Sequence, residues 1–255
     1  MAPPKVDEIP PHMIDAYKMN GITPIHNWYI DESQEQTGHI WTNEIISHFI
    51  DGFTYDKITA GKNVYENYKD APRFIMEACI KYESHIRGKT IAVIGSHYPW
   101  IEAILINGGA TSVTTVEYNV PVCNHDIIKT ISYDDFCRSD VKYDSIFSYS
   151  SIEHSGLGRY GDDLNPDGDL ETMMYIHKSL KPNGLCFLGI PVGTDAVIWN
   201  AHRIYGENRL RMISSYKFKE IEWIGHSRDL LKTCKPDDVF VLRANIEPLM
   251  VLRKL

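Results

Sequence analysis

Two groups of residues in this sequence have the types and spacing to do chemistry. In the first, Gly95 is followed 22 positions later (117 minus 95) by Glu117, with Tyr118 and Asn119 directly after it. A glycine lets the backbone pass close to a ligand because it has no Cβ, and an acid roughly 20 residues on can accept from ribose hydroxyls. In the second, Ser150-Ser151-Ile152-Glu153-His154-Ser155-Gly156 sets an imidazole beside a carboxylate. Imidazole titrates near neutral pH, so His154 is a candidate general base, with Glu153 a candidate to orient it. His202, in Trp199-Asn200-Ala201-His202-Arg203-Ile204-Tyr205-Gly206, is a second candidate base. The competing readings are a histidine bonded to loop backbone for His154 and a surface turn for His202.

These groups need elements to hold them. Thr90–Gly95 is an apolar run into a glycine turn, Trp100–Asn107 reads as a helix closed by Gly108 and Gly109, and Ser112–Glu117 is a second β-rich run ending in the acid. Further strand candidates are Tyr143–Tyr149, Leu185–Ile190, Phe218–Ile224 and Pro248–Leu252, with another apolar run at Val239–Leu242. A helix over Leu170–Leu180 closes on Lys-Pro-Asn-Gly, and another, capped by Asp70 with Pro72 in its first turn, runs to Gly88. Strands alternating with helices imply an α/β fold with a parallel sheet covered on both faces. Residues 1–69 lack clean periodicity and read as a mixed helical and loop extension that packs on, or covers, a main domain spanning 70–255.

A cofactor such as S-adenosylmethionine asks three things of such a fold: close backbone approach after the first strand, an acid for the ribose, and a polar edge on the fourth strand. Gly95, Glu117 and Ser148-Tyr149-Ser150 supply them in order, with Tyr118 and Asn119 as possible adenosine contacts. Ser96-His97-Tyr98-Pro99 stands where smaller residues would cradle a pyrophosphate. That bulk crowds a dinucleotide more than it crowds the methionine end of an adenosyl sulfonium.

Composition limits the partners. With 26 basic against 34 acidic residues the net charge is −8, and no basic run offsets it, which argues against nucleic acid. Five scattered cysteines without a Cys-x-x-Cys pair suggest reduced thiols in a cytoplasmic setting. No stretch approaches the roughly 18 apolar residues of a membrane span. A secretory lumen becomes the expected setting if an N-terminal anchor precedes this chain.

The acidic loop Asp162-Asp163-Leu164-Asn165-Pro166-Asp167-Gly168-Asp169 matches the first half of a calcium loop from Asp163, but the twelfth position is Met174 rather than glutamate. An Asx-turn loop in which Asp169 caps the next helix is favoured over a metal site. Arg159, Tyr160, Asp162, Asp163, Trp199, Arg203 and Tyr205 mix aromatic faces with charges that could grip a sugar, as rings stack on pyranoses and carboxylates accept from hydroxyls.

The run IAVIGSHYPWIEAILINGGATSVTTVEYN, followed by YDSIFSYSSIEHSGLGRYGDDLNPDGDLETMMYIHKSLKPNGLCFLGIPVG, resembles class I S-adenosylmethionine-dependent methyltransferases. It resembles more closely a methyltransferase-like family of unknown function first noted in nematodes, with SSIEHSGLGRYGD and HRIYG as hallmark segments. The likeness covers Lys89 to the C-terminus. It implies a Rossmann-like, mostly parallel sheet with an antiparallel last strand, S-adenosylmethionine as cofactor, and O-methylation of a small polar acceptor such as a glycan, fucose being the leading sugar. Two other readings stay open. One is a nicotinamide-dependent oxidoreductase, disfavoured because Tyr65 and Lys69, the one Tyr-x-x-x-Lys pair, precede the first strand. The other is a silent binding module.

Overall fold

The computed structural model describes residues 2–33, 39–64, 70–233 and 246–255. Seven strands form the main sheet: β1 (Thr90–Ile94), β2 (Ser112–Glu117), β3 (Ile128–Ser132), β4 (Tyr143–Tyr149), β5 (Leu180–Gly189), β6 (Phe218–Ile224) and β7 (Leu249–Lys254). Their order across the sheet is β6-β7-β5-β4-β1-β2-β3. The β3-β2-β1-β4-β5 strands run parallel, and β7 is antiparallel to both its neighbours. The chain is thus a Rossmann-like α/β protein with a reversed final strand.

Alternation along β1 shows why the sheet is sandwiched. Ile91 and Val93 join one core, with Phe74, Ile75, Trp100 and Ile104, while Ala92 and Ile94 join the other, with Leu170, Met173 and Ile176. Successive side chains point to opposite faces, so a strand apolar at every position must be covered twice. Phe49 and Phe53, from the Asn43–Gly52 helix and the residue after it, complete the first core.

Several elements depart from the sequence reading. The region before residue 70 contributes a strand, Ile25–Trp28, which pairs in parallel with Ala196–Asn200, itself antiparallel to His202–Ile204. Ile40–Trp41 also pairs with Val122–Cys123. β3 had no counterpart in the sequence reading. The helix after Asp70 stops at Lys81; a single 3-10 turn, Glu83–His85, and Gly88 at φ +72° lead into β1. Asp70 makes no side-chain cap and pairs with Arg73 at 3.3 Å. The next long helix is Gly168–Ser179, preceded by Asp167 rather than Asp169. Lys181–Gly184 bulges from β5, the register jumping from Tyr143 opposite Leu180 to Ser145 opposite Leu185, with Asn183 at φ +62°. The Val239–Leu242 run, Tyr65, Lys69 and Cys234 lie outside the described residues. Among those described, no helix is long and apolar enough to cross a membrane.

Candidate functional site

The carboxyl ends of β1, β2 and β4 meet at one edge of the sheet, the place where open α/β sheets take ligands. Gly95 turns there at φ +79°, and its N–H donates to the Val116 carbonyl at 3.0 Å. A Cβ on Gly95 would lie 2.0 Å from Ser151 Oγ, so the close approach this glycine permits is to the loop after β4. Ser96 N–H donates to Glu117 Oε1 at 2.5 Å and Tyr118 N–H to Oε2 at 3.1 Å. Each carboxylate oxygen keeps a further acceptor position. Burial raises the Glu117 pKa, with His97 and the two backbone donors working against that rise. The Tyr118 ring is 45% exposed and lies 4.9 Å from that of Tyr133. His97 and Tyr98 are exposed, Asn119 is half-buried, and buried Pro99 precedes the Trp100–Asn107 helix.

Two residues expected at the cofactor turn their side chains into the protein. Ser148 is fully buried and donates to the Ile94 carbonyl across the sheet at 3.2 Å. Tyr149 is buried, its hydroxyl donating to the Glu247 carbonyl at 2.7 Å. Both side chains therefore knit strands together. Ser150, at φ +51°, does reach the edge and donates to Glu247 Oε1 at 3.4 Å.

Beyond Ser150 lies the Glu153–His154 pair. His154 Nδ1–H donates to the Ala201 carbonyl at 2.6 Å, which leaves Nε2 as the lone-pair nitrogen, 3.6 Å from Glu153 Oε1. That separation is too long for a hydrogen bond, so orientation of the ring comes from Ala201 and the expected orienting role of Glu153 is corrected. Desolvation and then Arg159 hold the imidazole well below its ordinary pKa, keeping it neutral. Glu153 is 1% exposed, and neither of its carboxyl oxygens has a protein partner; nor does Glu247 Oε2. Burial and the neighbouring Glu247 carboxyl push the Glu153 pKa well up, and burial lifts Glu247 to about 7.

The acidic loop and the HRIYG segment form one structural unit. Asp162 accepts from the N–H groups of Gly156, Gly158 and Tyr160 at 2.7, 3.2 and 3.3 Å, making it the loop's own hub. Arg203 is buried and donates to the carbonyls of Glu153, Ser155, Asn165 and Pro166. Asp169, fully buried, accepts from Arg209 and from the Tyr205 hydroxyl. Trp199 is buried against Tyr17 and donates to the Pro4 carbonyl at 3.0 Å. The cap expected of Asp169 is corrected, and the polar side-chain atoms of Trp199, Arg203 and Tyr205, expected at the acceptor, are engaged inside the protein; Asp162 is half-buried, its carboxylate holding its own loop. Asp163 is exposed. Among the described residues no three His, Cys, Asp or Glu are grouped to hold a metal ion.

What remains forms an arc of rings along the edge. His39 and His97 approach at 3.4 Å between ring nitrogens; the centroid of His97 is 6.1 Å from that of Tyr160, Tyr160 5.7 Å from His154, His154 6.4 Å from His202, and His202 5.9 Å from Trp28. Arg159 lies 5.0 Å from the Tyr160 ring centre, held by Glu32 at 2.8 Å and by the Ala201 carbonyl. The arc joins the β1 turn to both candidate bases.

A family model described as "Caenorhabditis protein of unknown function, DUF268" matches residues 88–244, well over half of the chain. The chain belongs to this family. Both segments of the structural unit above, the Ser150–Asp163 loop and His202–Gly206, lie inside the DUF268 match. No curated protein matches the sequence. Among solved structures, a putative sam-dependent methyltransferase from Streptococcus mutans is similar at 13% identity and TM-score 0.44, covering 69% of this chain and 48% of that one. This chain therefore spans about half the length of that protein. A putative sarcosine dimethylglycine methyltransferase from Galdieria sulphuraria is similar at 13% and 0.49, covering 78% and 96%, and the [4+2]-cyclase SpnF at 12% and 0.49, covering 90% and 98%.

Two acids of this DUF268 chain escaped the sequence reading. Glu102 is fully buried beneath the β1 turn, and Glu247 is buried beside Ser150. Glu102 had a signal: every residue from Trp100 to Leu105 is buried, so a helix apolar all round carries one glutamate inward. Glu247 lies two residues past 234–245, which are not described, and nothing local marks it.

Proposed function

We propose that this protein is an S-adenosylmethionine-dependent methyltransferase acting on a hydroxyl of a small polar acceptor, with a sugar or glycan as the acceptor class. Glu117, Glu153 and Glu247 carry this reading. Glu117 keeps acceptor positions for a ribose diol, and the other two offer three unpartnered buried oxygens at the same edge. Buried carboxyl oxygens without partners call for protons or a cation. Such an edge suits a ligand bearing a sulfonium and an ammonium, and opposes the doubly charged pyrophosphate of a nicotinamide cofactor.

When bound, the cofactor supplies an electrophilic methyl; the chain's own residues align the acceptor and take its proton. Tyr160, stiffened by Arg159, and Trp28 offer faces for a pyranose. His202, half-buried between Trp28 and His154, stands where an acceptor hydroxyl would be deprotonated. His154 is the alternative, neutral and with its Nε2 lone pair free of a proton. Its side chain is 14% exposed.

Calorimetric titration with S-adenosylhomocysteine tests the cofactor, and absence of binding would sink the reading. A mass-spectrometric search for a methylated product among fucosides, other glycans and small alcohols tests the acceptor. With a turned-over acceptor in hand, His202→Ala should lower turnover about 100-fold while S-adenosylhomocysteine affinity stays within about twofold. Parallel loss of both would mark His202 as structural instead.

A further inference from the structure

The β1 turn contains a proton that its hydrogen bonds require. Ser96 Oγ lies 2.8 Å from the Tyr98 carbonyl and 3.0 Å from Glu102 Oε2. A serine hydroxyl has one proton to give, and a carbonyl can only accept. With that proton on Tyr98, the second bond exists only if Glu102 donates to Ser96 Oγ. Thr115 Oγ1–H donates to the other oxygen, Oε1, at 2.7 Å, which leaves Oε2 as the oxygen that carries the acid proton. The chain then closes without a deficit: Thr115 to Glu102, Glu102 to Ser96, Ser96 to Tyr98.

We propose that Glu102 is a positioning residue, held as a neutral carboxylic acid whose proton sets the conformation of the cofactor turn, and that ionising it weakens cofactor binding. The proposal rests on the cofactor reading above. Ser96 couples the two acids directly, because its N–H holds Glu117 while its hydroxyl is held by Glu102. Ionised, Glu102 would compete with the Tyr98 carbonyl for the single Ser96 proton and set a second negative charge close to Glu117. The ionisable groups facing it are Glu117 at the end of β2 and, more weakly, the Cys123 thiol; His97 faces Glu117 from the turn. Full burial supports the neutral form, lifting the Glu102 pKa to about 7 against the pull of Thr115 and Ser96.

The test is calorimetric titration of the whole chain with S-adenosylhomocysteine from pH about 6 to about 8.5, comparing wild type with Glu102→Gln. The amide donates to Ser96 as the acid does and cannot ionise. Wild-type affinity should fall with rising pH, approaching tenfold per unit above the transition when one proton is linked to binding. Glu102→Gln should stay tight and flat over that range. Equal pH dependence in the two proteins overturns the proposal. Absence of binding at every pH overturns the cofactor reading and this inference with it. Should Glu102→Gln fail to fold, Thr115→Val serves: loss of a donor to the carboxylate should move the transition to higher pH, and an unmoved transition is the overturning result.

Discussion

The two walls of the candidate site are built on opposite electrostatic plans. On the β1–β2 side, Glu102, Glu117, Ser96 and Thr115 form a small network with no arginine or lysine in it, in which the buried acid titrates close to neutrality. On the β4–β5 side, Arg203 and Arg209 are clamped to Asp169 and to backbone carbonyls. Arginine and a carboxylate held below its ordinary pKa form a brace that neutral pH does not touch. The first wall is therefore set by a proton, whereas the brace beneath the second is set by fixed charge. The loop that presents Glu153 and His154 belongs to the fixed one.

The difference can be broken most severely at Asp169. Asp169→Ala leaves two buried guanidinium groups short of their counter-ion, a change that costs about 3–5 kcal/mol in comparable buried pairs. Urea unfolding should show that loss; a change below about 1 kcal/mol would mean the brace is dispensable. Next comes a point where the walls touch. Gly95→Ala adds a Cβ against Ser151 at a left-handed φ and should cost about 1–3 kcal/mol, together with cofactor affinity. Adding Ser151→Gly should return the steric part and leave the backbone strain. If the double variant is no better than Gly95→Ala, the contact with Ser151 is not what the glycine serves.

The gentlest test is pH itself. Glu102 has a pKa raised from 4.5 in the unfolded chain to about 7 in the fold, so its contribution is fully present below about 4.5 and is lost as pH rises toward 7. Asp169 is shifted the other way, lowered from 3.8; its contribution is present above about 3.8 and is lost as pH falls through its lower folded value. Denaturation midpoints across pH should thus show two separate slopes. Glu102→Gln should flatten its share of the upper one only, and Asp169→Asn the lower one only.

β1 was legible because burial on two faces leaves a nearly unbroken apolar run. β2, β4 and β6 have the bounds read from the sequence, and β1 differs by its last residue. β3 escaped because only Ile128 of its residues is buried, so Ile128–Ser132 carries neither a full apolar run nor clean alternation. Ile25–Trp28 escaped for another reason: its strand character comes from a partner far along the chain, which no local pattern encodes. For the site, residue type marked Glu117, His154 and Tyr160, and the structure brings their neighbourhoods together at one edge. Type misled at Trp199, Arg203 and Tyr205, where aromatic and charged groups that look suited to an acceptor are buried under the loop they support. A charged residue named in sequence does not reveal whether its counter-ion will be a ligand or another buried side chain.

The pairing of Ile25 with Val197 has a consequence for how the protein is made. One ring of the rim, Trp28, emerges early in synthesis and its partner strand 172 residues later (197 minus 25). At about 5–20 residues per second the first strand waits roughly 10–30 s with its edge unpaired. During that interval the segment lacks the partner that makes it a strand, a state that ends only when the segment carrying Ala196–Asn200 leaves the ribosome.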